Sequence, residues 1–267
     1  MSTNPTKVHR FFDVFAPATY QGKTLTARTL QAHFRAAGIE PTVFRFESAA
    51  AAGTRPNGEV LINSEKLVDA EPNPGGPIST LDPVTKAIIA CAPNMTQVIL
   101  DWAGGQSALR AEYYAATDFD SFVAEKGFVG FSLVVTTNQA ASMVQAAEAL
   151  DLTAKVAPAL RRVLVLNRRD GRFGEFPSGS AEAKAYDALM AEAAKGAAQL
   201  TLPLIAHKAL EPFGAAGLGL LEVLNRPVNE LADITGLSYT VAAACRSWVA
   251  AWWAEVQPQL ERLFPVL

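Results

Sequence analysis

The sequence predicts a three-layer α/β fold in which helices cover both faces of a mainly parallel sheet. Two observations lead to this prediction. Apolar runs alternate along the chain with longer stretches of helical periodicity, as in repeated strand–helix units. The apolar runs also contain few polar residues, which is typical of parallel strands that are buried on both faces. Because the 267 residues contain no internal repeat and no linker-like segment, we expect one domain over residues 1–267.

The individual elements follow from these patterns in chain order. Apolar runs predict strands at 11–16, 42–46, 97–100, 131–135, 162–166 and 200–205. Helical periodicity predicts helices at 25–34, 79–92, 108–125, 138–150 and 181–195, and a helical segment of about 210–267 with breaks at Pro212, Pro227 and Gly236. Residues 48–77 lack a regular period and are rich in glycine and proline. A loop of this length indicates a function or mobility.

The composition is that of a compact globular protein. Half of the residues are apolar, 18% are charged and the formal net charge is −3. A charge this small gives no global attraction to nucleic acid or to an anionic membrane, so any such contact requires a local patch. The N-terminus lacks the pattern of a signal peptide, and no apolar run is long enough for a membrane span. We therefore expect a cytoplasmic protein, with Cys91 and Cys245 as buried free thiols.

The tripeptide Gly22-Lys23-Thr24 lies between the first predicted strand and the first predicted helix. This order is typical of a phosphate-binding loop, where backbone N–H groups face the phosphates, the lysine contacts them and the threonine hydroxyl holds Mg²⁺. Pro17 occupies the position where the full pattern has its first glycine. Because proline has no N–H group and a fixed φ, the first turn of this loop differs from the usual one. The alternative is a simple strand-to-helix turn.

A second candidate site residue is Asp101, which follows the apolar run 97–100 and precedes the pair Gly104-Gly105. A carboxylate at the carboxyl end of a strand beside a phosphate loop can hold Mg²⁺ directly or through water. Neighbouring glycines allow the backbone to approach a terminal phosphate and to move when the phosphate leaves. The alternative is that Asp101 caps the next helix.

These landmarks together resemble the ParA/MinD group of P-loop ATPases. The resemblance extends over residues 8–210 and especially concerns the divergent plasmid-borne members that are linked to partition and conjugative transfer. Its landmarks are Gly22-Lys23-Thr24, Val98–Asp101 with Gly104-Gly105, and the segments 134–137, 163–168 and 203–207. The fold that the resemblance implies is a three-layer P-loop fold, and the cofactors are ATP and Mg²⁺.

The resemblance also implies roles for individual residues. Lys23 contacts the β- and γ-phosphates, Thr24 and Asp101 hold Mg²⁺, and Glu47 is the nearest candidate to orient the attacking water. Further nucleotide contacts fall on the loop and on two later segments, namely Thr19, Tyr20, Gln21, Gly22, Leu25, Gly105, Asn167 and Arg168. Gly105 lies near the γ-phosphate and Asn167 contacts the adenine.

The implied function is a switch ATPase that positions or segregates a cargo such as a plasmid or a transfer complex. It forms a homodimer on ATP binding and works with a protein partner or non-specific DNA. The stretch 18–21 lacks the additional lysine that the family places across its dimer, which leaves weak ATPase activity, a different activating arginine or nucleotide binding alone as alternatives. Two alternatives remain open. One is a degenerate nucleotide-binding or protein-interaction module, and the other is an ATP-dependent ligase related to dethiobiotin synthetase.

Two further features have alternative interpretations. Five arginines between Arg161 and Arg172 form either a phosphate-contacting patch or a solvated loop. An apolar stripe that includes Trp248 and Trp252 near the C-terminus indicates packing on the sheet or on a partner subunit. A membrane-surface helix is the less favoured alternative, because its polar face carries acidic residues and no lysine.

Overall fold

The computed structural model describes residues 8–47, 59–63, 81–90 and 97–266. Within these residues a seven-stranded, wholly parallel sheet has the strand order β3-β2-β4-β1-β5-β6-β7. The strands are β1 (His9–Phe15), β2 (Thr42–Glu47), β3 (Val60–Asn63), β4 (Gln97–Asp101), β5 (Phe128–Thr136), β6 (Arg161–Asn167) and β7 (Ala198–Leu202). The predicted parallel α/β fold is confirmed.

Helices cover both faces of this sheet. They are α1 (Lys23–Ala36), α2 (Asp82–Ala90), α3 (Ser107–Thr117), α4 (Phe119–Glu125), α5 (Ala140–Val156), α6 (Ala181–Ala193), α7 (Glu211–Ala215), α8 (Leu220–Asn225), α9 (Val228–Thr235) and α10 (Tyr239–Leu263). Residues of α2–α6 form the core on one face, and residues of α1 and α7–α10 form the core on the other.

The central strand β1 shows why the strands read as continuous apolar runs. Phe11 and Phe15 belong to one core, whereas Phe12 and Val14 belong to the other. Because successive side chains of a strand point to opposite faces, both sets must be apolar when both faces are covered. The same alternation places Val134 of β5 in the first core and Leu133 in the second.

The order of the strands fixes where a ligand can bind. β1 lies between β4 and β5, so the chain leaves β1 toward one half of the sheet and later returns to build the other half. In open parallel sheets the crevice at such a switch point, outside the carboxyl ends of the strands, is the usual ligand site. Val14 of β1 pairs in register with Asp101 of β4. The predicted metal residue therefore lies beside the start of the loop that follows β1.

Several predicted element boundaries were wrong. The predicted helix 108–125 is two helices, because Asp118 adopts a left-handed conformation (φ 53°) that ends α3. The four-residue strand β3 was missed within 48–77, since so short an edge strand has no recognisable period. Pro212 lies in the first turn of α7, where proline is tolerated, and so does not break a helix.

Other outcomes concern the ends of elements and the cysteines. The last strand ends at Leu202 rather than at residue 205. Cys245 is buried as a free thiol, whereas Cys91 and most of the predicted loop 48–77 lie outside the described residues.

Helix α10 contributes part of its predicted apolar stripe to the second core, whereas Trp248 of that stripe is exposed. Trp252, Val256 and Leu260 are buried in the second core. The Trp252 indole donates a hydrogen bond to the Pro203 carbonyl at 2.8 Å. The Gln259 side-chain amide binds both the N–H and the carbonyl of Thr201, at 2.9 and 3.0 Å. It thereby covers part of the exposed edge of β7. Among the described helices, none has an apolar stretch that could cross a bilayer.

The residues that follow α10 are held against the base of the sheet. The ring of Phe264 is fully buried and lies edge-on to Phe12 and Phe131, with centroids 5.1 and 5.0 Å away. Its carbonyl accepts a hydrogen bond from the buried His33 ring at 3.0 Å. The Arg10 guanidinium donates to the Pro265 carbonyl at 2.6 Å. Phe264 is thus part of the core.

We expect Phe264→Ala to lower the free energy of unfolding by about 3–5 kcal/mol, because it leaves a cavity between two aromatic rings. Urea denaturation followed by circular dichroism measures the change. Tyr239→Ala is the matched control, since its aromatic ring is exposed, and it should change stability by less than about 0.5 kcal/mol. Equal losses in the two variants would show that the chain end is not packed as described.

Candidate functional site

Residues 16–22 connect β1 to α1 and end at Gly22, where the backbone conformation favours glycine. Gly22 has φ 98°, and a Cβ atom there would lie 2.2 Å from Nδ2 of Asn167. Helix α1 begins at the next residue, Lys23, so its first N–H groups face this loop. An anion at this loop, as the sequence predicts, would face the N–H groups at the start of α1.

The Lys23 side chain lies within this loop and is only 7% exposed. Its ammonium donates a hydrogen bond to the Ala18 carbonyl at 3.0 Å. Burial lowers the pKa of Lys23, while the nearby Asp101 carboxylate acts in the opposite direction. A cation held over a loop of backbone N–H groups can contact a bound phosphate after a small side-chain rotation.

Thr24 and Asp101 are in direct contact, although they are far apart in the sequence. The Thr24 hydroxyl donates a hydrogen bond to Oδ2 of Asp101 at 2.9 Å. Asp101 is 2% exposed, and its Oδ1 has no hydrogen-bond partner among the described residues. Burial raises the pKa of Asp101 to about 6, although the Thr24 hydroxyl and the Arg45 guanidinium both lower it.

This pair of side chains fits Mg²⁺. Magnesium prefers hard oxygen ligands and retains several waters, so one carboxylate and one hydroxyl are sufficient protein ligands. A buried carboxylate oxygen without a partner is unusual and is explained if a cation completes the site. Within the described ranges there is no cluster of three or more histidine, cysteine or acidic side chains that could hold a metal.

The loop after β4 touches the phosphate loop. A Cβ atom on Gly104 would lie 2.3 Å from the Thr19 side chain and 2.9 Å from its Cα. Glycine is therefore required there for close approach of the two backbones. Gly105 has φ 79° and faces open space. The two glycines thus have different roles, one in contact with the loop and one in a turn beside it.

The loop after β6 holds the phosphate loop from the other side. The buried Asn167 amide donates to the Gln21 carbonyl at 2.9 Å, and its oxygen accepts from the Arg169 N–H at 3.2 Å. The Arg169 guanidinium donates to the Tyr20 carbonyl. Asn167 therefore makes protein contacts in this state, and Arg168 beside it is half-buried.

A cavity of about 470 Å³ lies beside these contacts. Its walls come from the start of α1, the end of β6 and the segment after β7, and they include Leu25, Asn167, Arg169, Pro203 and Leu204. The walls are mixed apolar and polar, which is typical of a small-molecule site. Tyr20 is 84% exposed, so its side chain leaves the loop open to solvent.

Glu47 lies at the end of β2 and is ion-paired. The Arg45 guanidinium lies 2.9 Å from its carboxylate, and the same guanidinium lies 3.8 Å from Asp101 and 3.6 Å from Glu59. Arg45 pairs in register with Asp101, which explains this arrangement. The structure thus links the candidate water-orienting residue to the candidate metal residue through one cation.

A buried ion pair beneath the site was missed by the sequence analysis. Asp13 and Arg110 are at most 1% exposed, and Arg110 Nε donates to Asp13 Oδ2 at 2.7 Å. The Trp102 indole donates to Asp13 Oδ1 at 2.6 Å, and the Ser132 hydroxyl donates to Oδ2 at 3.1 Å. The Arg110 guanidinium also lies 3.9 Å from the centre of the Phe15 ring. The available signal was Asp13 itself, a charge within an apolar run.

The interpretation of Arg161–Arg172 as one patch was wrong. Arg161 and Arg162 are at the start of β6, whereas Arg168, Arg169 and Arg172 follow its end. An extended strand of this length separates the two groups by about 20 Å. Only the second group adjoins the phosphate loop.

Comparison with solved structures identifies the fold. A ParA family ATPase from Chlorobium tepidum has a TM-score of 0.50 at 14% identity, over 92% of this chain and 99% of that chain. The MinC:MinD cell division protein complex of Aquifex aeolicus gives 0.47 at 14% identity, over 89% and 96%. FtsY from Thermotoga maritima gives 0.40 at 16% identity, over 74% and 63%. The sequence matches no protein-family model and no curated protein.

The seven-stranded parallel sheet with helices on both faces is the fold that this chain shares with the ParA family ATPase. The similarity to the ParA family ATPase places the chain among divergent ParA/MinD-like folds, as the sequence predicted. At 14% identity this likeness concerns the fold.

In the absence of metal, we expect the stability of Asp101→Asn relative to the wild type to increase as the pH rises. Because the folded pKa of Asp101 is raised to about 6, the folded state binds more protons between pH 4 and 6, and stability falls across this window. Asparagine has no ionisable group, so the variant does not lose stability in this way. The stability advantage of Asp101→Asn over the wild type should grow by roughly 3 kcal/mol between pH 4 and 7. Urea titrations in EDTA measure it.

The control for this pH series is Asp233→Asn, because Asp233 is exposed. Its stability should follow that of the wild type at every pH. If the free energy of unfolding depends on pH in the same way for Asp101→Asn and the wild type, the Asp101 carboxylate is not buried and destabilised as described.

Arg110→Met should lower the free energy of unfolding by about 3–5 kcal/mol, because it leaves the Asp13 charge buried without its partner. Thermal and urea denaturation measure the effect. The double variant Asp13→Asn/Arg110→Met should be more stable than Arg110→Met alone, since neither charge then remains. Arg172→Met removes one partner of an exposed pair and should leave the midpoint nearly unchanged. A small effect of Arg110→Met would disprove the role of the pair.

Proposed function

We propose that this chain is a ParA/MinD-like switch protein that binds Mg·ATP at the loop 19–24. The observation that carries the proposal is the hydrogen bond of 2.9 Å between Thr24 and Asp101 at the end of β4. This bond joins the hydroxyl of the Gly-Lys-Thr tripeptide to the buried carboxylate at the end of β4. A Gly-Lys-Thr tripeptide that occurs by chance is not expected to contact this carboxylate.

The phosphates of ATP lie on the N–H groups of the loop and of the first turn of α1 in this proposal. The partial positive charge of the helix start favours an anion at this point. Lys23 leaves the Ala18 carbonyl and contacts a phosphate, because a phosphate adds the attraction of an opposite charge that the neutral carbonyl does not offer. Burial of Lys23 strengthens this interaction, since the ammonium has little contact with water.

Thr24 and Asp101 hold the Mg²⁺ ion. When bound there, Mg²⁺ would supply positive charge that offsets the negative charge of the phosphates. Asp101 must be ionised to act as a ligand, so its raised pKa makes the site sensitive to pH near 6. Arg45 keeps the carboxylate in position from the side of β2.

The adenine lies in the cavity of about 470 Å³ beside Asn167. Pro203 and Leu204 offer apolar contact to the ring, and Asn167, which also lines the cavity, offers a polar group to its edge. Because Asn167 also binds the Gln21 carbonyl, a base in this cavity affects the phosphate loop directly.

Weak hydrolysis follows from two features. No lysine occurs in the stretch 18–21, and the Glu47 carboxylate is ion-paired with Arg45. A preorganised cation on the developing phosphoryl charge contributes several kcal/mol to catalysis. The second candidate function, a nucleotide-binding module with little turnover, is therefore favoured by the Arg45–Glu47 pair.

The contact between Gly104 and Thr19 supports a switch. A γ-phosphate bound to the loop at Thr19 must also affect the loop after β4, because their backbones touch. We propose that this change controls homodimer formation in the cytoplasm. The cargo is a plasmid or a transfer complex, recognised through a protein partner or non-specific DNA.

The test of this function is calorimetric titration of ATP with Mg²⁺ into the wild type, Lys23→Ala and Thr24→Ala. Loss of a charge-assisted contact should weaken binding by about tenfold or more for Lys23→Ala. Thr24→Ala should lose the Mg²⁺ dependence of binding, so that its affinity is the same in EDTA.

Lys155→Ala is the matched control, because Lys155 is an exposed lysine that pairs with Asp151 on the same helix. It should bind ATP as the wild type does. Phosphate release from the same samples separates an ATPase from a binding module. Absence of ATP binding by the wild type would refute both.

A further inference from the structure

A second cavity lies away from the phosphate loop. It has a volume of about 480 Å³ and is bounded by α1 and by residues 214–222. Arg28, Gln31 and Arg35 line it from α1. Residues at these spacings share one face of a helix, so the three polar side chains converge on the same space. The volume is within the range of small-molecule sites.

Gln31 gives this cavity an unsatisfied donor. The side chain is 94% buried, since its exposure is 6%, and its Nε2 has no hydrogen-bond partner in the described part of the chain. Buried amide groups in folded proteins almost always have a partner. A ligand with an acceptor oxygen would supply the missing bond.

The charges that face the cavity favour an anion. Arg28 lies 3.7 Å from the Glu59 carboxylate, which is beyond hydrogen-bond distance, and Arg35 pairs with Glu40 outside the cavity. Glu222 is the acidic residue of the lining. Its carboxylate already accepts bonds from the Gly219 N–H at 2.8 Å and from Arg226 at 3.0 Å. Arg35 and Glu222 are thus both engaged with other residues, and Arg28 is the cation of the lining that can meet an anion.

The opposite wall is apolar. The segment 214–219 has the sequence Gly-Ala-Ala-Gly-Leu-Gly, and its small residues leave the cavity unfilled. A Cβ atom on Gly217 would meet open space. Leu218 and Leu221 complete the wall and pack against the core on that face of the sheet. A ligand for this space needs an apolar body as well as an anionic group.

We propose that this cavity binds a small amphipathic carboxylate. The carboxylate accepts hydrogen bonds from Arg28 and from Nε2 of Gln31, because the planar guanidinium matches a carboxylate group. The apolar chain lies along Leu218 and Leu221. This site is separate from the proposed nucleotide site and does not depend on it.

The test uses octanoate as the probe, with octanol and octylamine as analogues of the same apolar body. Ligand-observed NMR titration of the nucleotide-free wild type should show saturable octanoate binding with a Kd of about 1 mM or tighter. Octanol lacks the charge and should bind at least about tenfold more weakly. Octylamine should not bind.

Variants of the two donors locate the site. Gln31→Leu and Arg28→Gln should each weaken octanoate binding by about tenfold. Their matched controls are Gln257→Leu and Arg172→Gln, which alter surface residues of the same types and should leave binding unchanged. The proposal fails if octanoate and octanol bind the wild type equally, if octanoate does not bind, or if the Gln31 and Gln257 variants behave alike. None of these results bears on ATP binding, because no nucleotide is present.

Discussion

The buried ion pair between Asp13 and Arg110 is the constraint on which the site depends. It joins the middle of β1 to α3, and Trp102 and Ser132 extend it to the loop after β4 and to β5. A buried charge pair is stable only when its remaining hydrogen bonds are satisfied, and here both carboxylate oxygens of Asp13 have donors. Because Trp102 directly follows Asp101, the same network fixes where the candidate metal ligand lies. The geometry at the carboxyl end of the sheet therefore depends on the contacts of the Asp13–Arg110 pair.

The site above this network has the opposite character. Asp101 is buried with one unpartnered oxygen, its pKa is raised, and the Lys23 ammonium is held by a single backbone carbonyl. These groups are poorly compensated in the protein alone, and a cation and an anion would satisfy them together. Functional sites commonly concentrate such unfavourable electrostatics, whereas structural networks avoid them. The contrast between Asp13 and Asp101, carboxylates on neighbouring strands, illustrates this difference.

Much of the fold was predictable because its signals are local. The parallel sheet followed from continuous apolar strands, and the turn from β1 into α1 followed from Gly22-Lys23-Thr24 at a strand-to-helix boundary. Errors arose where the signal was short or ambiguous. The helix breaks at Asp118 because this residue adopts a left-handed conformation, for which the sequence shows no glycine. Strand β3 is only four residues long. The arginines at 161–172 are close together in the sequence. Only the extended conformation of β6 shows that they form two groups at opposite ends of the strand.

The sequence by itself determined the class of fold, the loop that begins α1, and the candidate residues Lys23, Thr24 and Asp101. Each depends on residue types within a few positions of one another. Only the tertiary structure decided which distant side chains meet. Arg110 reaches Asp13 across 97 residues, Asn167 holds a loop 146 residues earlier, and Gln31 faces a cavity closed by residues 214–222. Such contacts depend on strand order and register, which many sequences share, and therefore no short pattern encodes them.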